Sequence, residues 1–178
     1  MIEIKFLGTG GQGVVIASEI LARACFEEGL YPQSFSIFGG ERRGAPVAAF
    51  VRVSDQKIWL KCEIDRPNHL ILFDPSLVSE KEVGLQVVPG GMLLFNKQEQ
   101  LRPRGLKEYR IGVIDAGDVS KRNGLGGIVN TSVLGSYVRL SQIVKLETLL
   151  QVIRETVPTA VEENISAARE AYERIHLL

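Results

Sequence analysis

Six residues near the start of the chain, Gly8, Thr9, Gly10, Gly11, Gln12 and Gly13, have the spacing G-x-G-x-x-G. Glycine has no Cβ and accepts positive φ, so such a run can turn tightly and bring backbone close to a ligand. If a helix follows, its first turn presents unpaired N–H groups and the positive end of the helix dipole to an anion. Gln12 adds a neutral side-chain donor at that mouth. The chemistry on offer is phosphate or anion binding. The plain structural alternative is a turn that only lets a strand and a helix pack closely.

The second chemical feature is Phe38 to Pro46, in which Arg42 and Arg43 stand together among Gly39, Gly40 and Gly44. Guanidinium forks suit phosphate or carboxylate. Solvated arginines paired with Glu41 are the alternative, and such a pair contributes little. A dinucleotide site needs an acidic residue about 20 positions after the glycines to hold the ribose. Pro32 to Phe38 supplies no carboxylate before Glu41. Conventional NAD binding is therefore disfavoured, although the arginines leave a 2′-phosphate, and hence NADP, open.

Further along, Asn130 and Thr131 stand where a helix begins after Gly126 and Gly127. They can cap that helix or touch a ligand. His69 and His176 are isolated, and nothing in the pattern assigns either a catalytic role. Asp115 and Asp118 lack metal-ligand spacing, and no metal is expected. The two cysteines, Cys25 and Cys62, are too few for a four-thiolate cluster. Cys25 falls in a helical apolar pattern and reads as a packed core thiol. The segment from Lys97 to Arg104 reads as a solvated basic loop. Trp59 reads as either a core residue or a partner-facing anchor, with core the expectation.

The elements that position these residues follow from periodicity. Ile2 to Leu7 alternates apolar and charged residues, as a strand does. Val14 to Glu28 places Val14, Ile20, Leu21, Ala24 and Cys25 on one helical side, and Gly29 ends it. Tyr31 to Phe38, His69 to Phe73 and Arg110 to Ile114 read as strands. Val47 to Val53 and Lys57 to Lys61 read as a hairpin around Ser54, Asp55 and Gln56. Gly127 to Leu140, Leu146 to Glu155 and Thr159 to Ile175 read as helices. Interleaved strands and helices predict an α/β, Rossmann-like layered domain with a mostly parallel sheet, a hairpin insertion and C-terminal helices. Residues 1–178 fit one domain.

Composition narrows the class. With 45% hydrophobic residues the chain can fill a core. Lysine plus arginine equals aspartate plus glutamate at 21 each, which argues against a general nucleic-acid binder. No apolar run reaches the roughly 18 residues a membrane span needs. A cytoplasmic protein with reduced thiols is the expectation.

The glycine loop, the following Ala17-Ser18-Glu19-Ile20-Leu21-Ala22, and Phe38 to Pro46 together resemble the gamma subunits of pyruvate and related 2-oxoacid:ferredoxin oxidoreductases. The resemblance continues at Asn130 to Gly135 and at Glu162-Glu163-Asn164, so it spans nearly the whole chain. The run Glu41-Arg42-Arg43-Gly44-Ala45-Pro46 is closer to pyruvate-type than to indolepyruvate-type subunits. Gly40 departs from the proline or alanine common there. The resemblance implies a chain inactive alone that works with alpha, beta and ferredoxin-like delta subunits. Those partners would hold thiamine diphosphate, magnesium and the iron–sulfur clusters, and ferredoxin would take the electrons. On this chain the resemblance implies coenzyme A contact through Gly8, Gly10, Gly11, Gln12 and Gly13, with Arg42, Arg43, Asn130 and Thr131 as further candidates. Two other readings stay open: a stand-alone NADP- or flavin-binding oxidoreductase, and a scaffold subunit that binds no ligand.

Overall fold

The computed structural model describes residues 1–38, 45–99 and 105–178. The alternating segment at the start forms β1 (Ile2–Thr9) and leads through the glycine loop into α1 (Val14–Glu27). Every residue assigned to the inner side of α1 is buried. The helix ends where Gly29 adopts φ 80° and Leu30 N–H reaches back to Cys25 O at 3.1 Å, a Schellman-type closure that satisfies terminal carbonyls. Cys25 is fully buried on the inner side. Burial pushes its thiol up to about 12, with Glu28 adding to the shift.

The chain then forms β2 (Tyr31–Phe38) and β3 (Pro46–Ser54). The remaining strands are β4 (His69–Leu72), β5 (Met92–Asn96), β6 (Arg110–Ile114) and β7 (His176–Leu177). They make a seven-stranded sheet of order β2-β3-β1-β4-β5-β6-β7. The central strands β1, β4, β5 and β6 run parallel, while β3 and β7 pair antiparallel with their neighbours. This is the layered α/β architecture expected, with an antiparallel margin.

The hairpin is a different one from that read in the sequence. Lys57 to Lys61 forms no strand. Both edges of β3 are already taken, by β1 on one side and β2 on the other, so no edge is left for Lys57 to Lys61 to pair with. The hairpin is β2–β3, and the segment 39–44 joins its strands. Trp59 was expected in the core but is 83% exposed, because its segment is not part of the sheet.

Helices α3 (Ala116–Arg122), α4 (Asn130–Ser141), α5 (Leu146–Thr156) and α6 (Val161–Arg174) follow. They join α1 in one core, against Ile4, Phe6, Ile71, Leu94 and Ile114 of the sheet. The short α2 (Glu80–Val83) belongs to the opposite face, where Leu70, Leu72, Leu93, Phe95, Ile111 and Val113 pack with Val83, Val87 and Tyr109. Alternate residues of β4, β5 and β6 thus feed opposite layers, as the period of two requires. Helices α4 and α6 cross closely. A Cβ on Gly135 would lie 1.9 Å from the Ala168 backbone oxygen, so only glycine permits this approach.

Candidate functional site

The glycine loop opens at the carboxyl edge of the parallel strands, the usual ligand edge of open α/β sheets. Its glycines serve different ends. A Cβ on Gly8 would strike Val14 Cγ2 at 2.7 Å and Phe73 Cβ at 2.8 Å, so Gly8 exists for packing. Gly10 N–H donates to Ala45 O at 3.0 Å. Gly11 has φ 100°, and no described residue lies within 4 Å of where a Cβ would stand. Gly13 caps α1 with φ 75°, and a Cβ there would meet Asn130 Nδ2 at 2.9 Å.

Among the described residues no side chain caps α1. Its first intrahelical bond runs from Ala17 N–H to Gly13 O at 2.9 Å. The amides of Val14, Val15 and Ile16 therefore have no intrahelical acceptor, as at any helix start. They stand at the sheet edge that carries the glycine loop. The arrangement suits an anion of phosphate size.

Gln12, expected as a donor to a ligand, has its carboxamide engaged within the loop. Oε1 accepts the Thr9 N–H at 2.8 Å, and Nε2 approaches Phe73 O at 3.5 Å. Asn96, which the sequence reading did not single out, braces the same edge. Its Nδ2 donates to Phe73 O at 2.9 Å, and its Oδ1 accepts the Ala116 N–H at 3.0 Å. A lone Asn at a strand end gives little warning of this, because its partners lie on two other elements.

Asn130 and Thr131 are the first residues of α4, and Val129 occupies the cap position. Asn130 is buried and packs against Gly13, while its Oδ1 accepts the Thr131 N–H at 2.9 Å. Thr131 is fully buried and donates to Asn164 Oδ1 at 3.0 Å. Asn164 Nδ2 in turn donates to Ala160 O at 2.8 Å. The chain Gly13–Asn130–Thr131–Asn164 thus ties the starts of α1, α4 and α6 together, joining motifs that lie far apart in sequence.

Arg42 and Arg43 lie outside the described residues. The flanks of their segment are placed: Phe38 pairs with Val47, and Ala45 accepts from Gly10. Both flanks stand at the same sheet edge as the glycine loop. Because β3 is threaded between β1 and β2, the end of β2 is two strand spacings, roughly 9–10 Å, from β1. A dinucleotide ribose held in the usual way needs the end of the adjacent parallel strand, which this sheet does not provide on that side.

The other titratable groups stand elsewhere. His69 begins β4, at the opposite sheet edge. Its Nδ1 lies 2.7 Å from the Tyr137 hydroxyl, and burial, with nearby Arg110, lowers it to about 4. Asp115 accepts the Asp118 N–H at 2.8 Å and caps α3. Among the described residues no three His, Cys, Asp or Glu side chains gather to hold a metal. With only two cysteines, one buried and one exposed, an iron–sulfur cluster does not fit this chain. No described helix is long and apolar enough to cross a membrane.

Comparison with known proteins agrees with this architecture. Residues 3–174 match the family model for pyruvate ferredoxin/flavodoxin oxidoreductase. The common gamma subunit of the pyruvate/ketoisovalerate oxidoreductases of Thermococcus litoralis is 41% identical, over 98% of this chain and 97% of that protein. Pyruvate synthase subunit PorC of Methanothermobacter thermautotrophicus is 39% identical, over 100% of this chain and 98% of its own length. The crystal structure of pyruvate oxidoreductase subunit PORC from Thermotoga maritima superposes with a TM-score of 0.86 at 32% identity, covering 99% of this chain and 97% of that one.

The chain belongs to the pyruvate ferredoxin/flavodoxin oxidoreductase family. Within it, the chain is the gamma subunit of a 2-oxoacid:ferredoxin oxidoreductase, one part of a multi-subunit enzyme.

Proposed function

We propose that this subunit supplies the coenzyme A contact of its enzyme and helps close the reaction site against neighbouring subunits. The enzyme would decarboxylate a 2-oxoacid oxidatively, joining the acyl group to coenzyme A and passing an electron pair to ferredoxin. Thiamine diphosphate would carry the carbanion chemistry, with magnesium and iron–sulfur clusters, on the alpha, beta and delta chains. This chain's part is binding. One observation carries the reading: the amides of Val14, Val15 and Ile16 have no intrahelical acceptor and stand next to Gly11, where no described residue comes within 4 Å of a Cβ position, on the carboxyl edge of the sheet. A coenzyme A phosphate would accept from those amides. Arg42 and Arg43 would neutralise its charge, since their segment departs from and returns to this edge at Phe38 and Ala45.

In this reading Gly8, Gln12 and Thr131 shape the site from behind, Gly10 holds the neighbouring segment, and Asn130 sets the gap at Gly13. Residues 1–178 act as one domain. A cytoplasmic location goes with it, since an exposed free thiol such as Cys62 persists in a reducing compartment.

The test is the assembled enzyme carrying Arg42→Ala and Arg43→Ala together. Loss of a charged hydrogen bond, roughly 1.5 kcal/mol or more, corresponds to a rise of about tenfold or more in KM for coenzyme A. The rate at saturating coenzyme A should hold. An unchanged KM would reject ligand contact by these arginines and leave the scaffold role.

A further inference from the structure

Away from the glycine loop, on the face of β2 and β3 opposite α1, the segment from Lys57 to Lys61 lies as an irregular strap. It is fastened from beneath by backbone, not by its own apolar side chains. Arg52, only 1% exposed, donates Nε to Glu3 Oε1 at 2.8 Å and Nη1 to Gln33 Oε1 at 3.1 Å. Its Nη2 donates to Cys62 O at 2.8 Å and Glu63 O at 3.3 Å. Gln33 Nε2 donates to Leu60 O at 2.9 Å. These bonds use the carbonyls of residues 60, 62 and 63 and leave Trp59 and Leu60 facing water, with Ile58 half-buried.

The outcome is unusual for a free surface. Trp59 is 83% exposed, and Leu60 beside it is exposed too. Tyr31 and Ile37 of β2 are likewise exposed. Among the described residues β2 is the outermost strand of the sheet on this side, so one row of its backbone groups has no described strand partner. A depression of about 340 Å³, lined by Gln33, Ser34, Phe35, Arg52, Lys61 and Cys62, lies between strap and strand. An indole, an open sheet edge and a cleft thus adjoin one another. Tryptophan is enriched among the residues that dominate protein interfaces.

We infer that the strap and the β2 edge form the docking surface for another subunit of the same enzyme, one that presents an indole-sized apolar pocket rimmed by carboxylates. The charges choose this occupant. Lys57 and Lys61 stand two positions to either side of Trp59, with Asp55 and Glu63 further out, and all four are exposed. A twofold pairing of the patch with itself would bring the central lysines together, a like-charge contact. A different chain with carboxylates around its pocket meets the lysines favourably. The inference rests on the chain being one subunit of an assembly, and is independent of the coenzyme A proposal.

The experiment uses the assembled enzyme. A photoreactive benzoylphenylalanine in place of Trp59 should crosslink to a non-gamma subunit; a crosslink only to a second gamma chain, or none, overturns the inference. Trp59→Ala should weaken gamma-subunit association about thirtyfold or more, the level of an interface hot spot. Leu85→Ala, at a 72% exposed apolar residue on another part of the surface, should assemble as wild type. Matching thermal unfolding of the Trp59→Ala chain separates lost docking from misfolding, and Trp59→Phe should restore part of the affinity. Trp59→Ala assembly at wild-type affinity overturns the inference. So does a raised KM for coenzyme A with assembly intact, which would assign the patch to ligand binding instead.

Discussion

Gly135→Ala tests the packing that holds the ligand edge in place. The added Cβ would lie 1.9 Å from the Ala168 carbonyl oxygen. An ordinary C···O contact is about 3.3 Å, so α4 and α6 must part by roughly 1.4 Å. The obstacle is helix backbone, and no rotamer change relieves it. Overpacking of this kind costs roughly 1–3 kcal/mol. The separation also strains the Thr131–Asn164 hydrogen bond, 3.0 Å long and fully buried, one helical turn earlier on α4. Losing that bond adds roughly 1 kcal/mol. The total, about 2–4 kcal/mol, lowers Tm by roughly 5–15 °C in a chain of this size. Gly112→Ala provides the comparison. Its Cβ would meet Ile175 Cδ1 at 2.6 Å and Leu140 Cδ2 at 3.0 Å, the movable ends of side chains, and it should cost less. Circular dichroism melts of the purified chain measure both. A Gly135→Ala melt within about 2 °C of wild type, or a larger loss for Gly112→Ala, would refute the backbone-contact argument.

Two further outcomes follow from buried titratable groups. His69 has a folded pKa of about 4, held down by burial and Arg110, against about 6.5 unfolded. The unfolded chain therefore takes up the proton first, and stability present above pH 6.5 is lost as pH falls toward 4, by up to about 3 kcal/mol; His69→Gln should flatten that acid limb in urea titrations, and an unchanged limb would contradict the assignment. Cys25, with its thiol pushed up to about 12, and exposed Cys62 should separate cleanly with a disulfide reagent at pH 8: one thiol reacts in the native chain and two after unfolding, while two fast-reacting native thiols would show that the α1 core opens readily.

Elements defined by local pattern were legible in the sequence. Helix α1 ends within a residue of its expected boundary, and β2 and β6 match theirs, because apolar period, a terminal glycine and flanking turns are local signals. Strand pairing was not legible in the same way. Nothing local in Val47 to Val53 says that β1 and β2 will occupy both its edges, so the hairpin was drawn with Lys57 to Lys61 and Trp59 was placed inside. α3 and β7 were missed because seven and two residues give too little periodicity to read. At the ligand edge, the glycines and Asn130 were legible as types. Their division of labour was not, since it depends on Phe73, Ala45 and Asn164 arriving from distant parts of the chain. Gln12 shows the difference plainly: its type suggests a donor to a ligand, while its Oε1 is taken by Thr9 three residues earlier.

The placing of β3 between β1 and β2 also bears on how the molecule is made. Both sheet neighbours of β1, β3 and β4, come well after it in the chain. The loop that follows it is braced by Phe73, 61 positions from Gln12, and then by the start of α4. Such distant pairings slow folding and leave early strands uncovered meanwhile. The glycine segment therefore cannot take its final form until Phe73 and the start of α4 have come to it from 61 and more than 100 positions away.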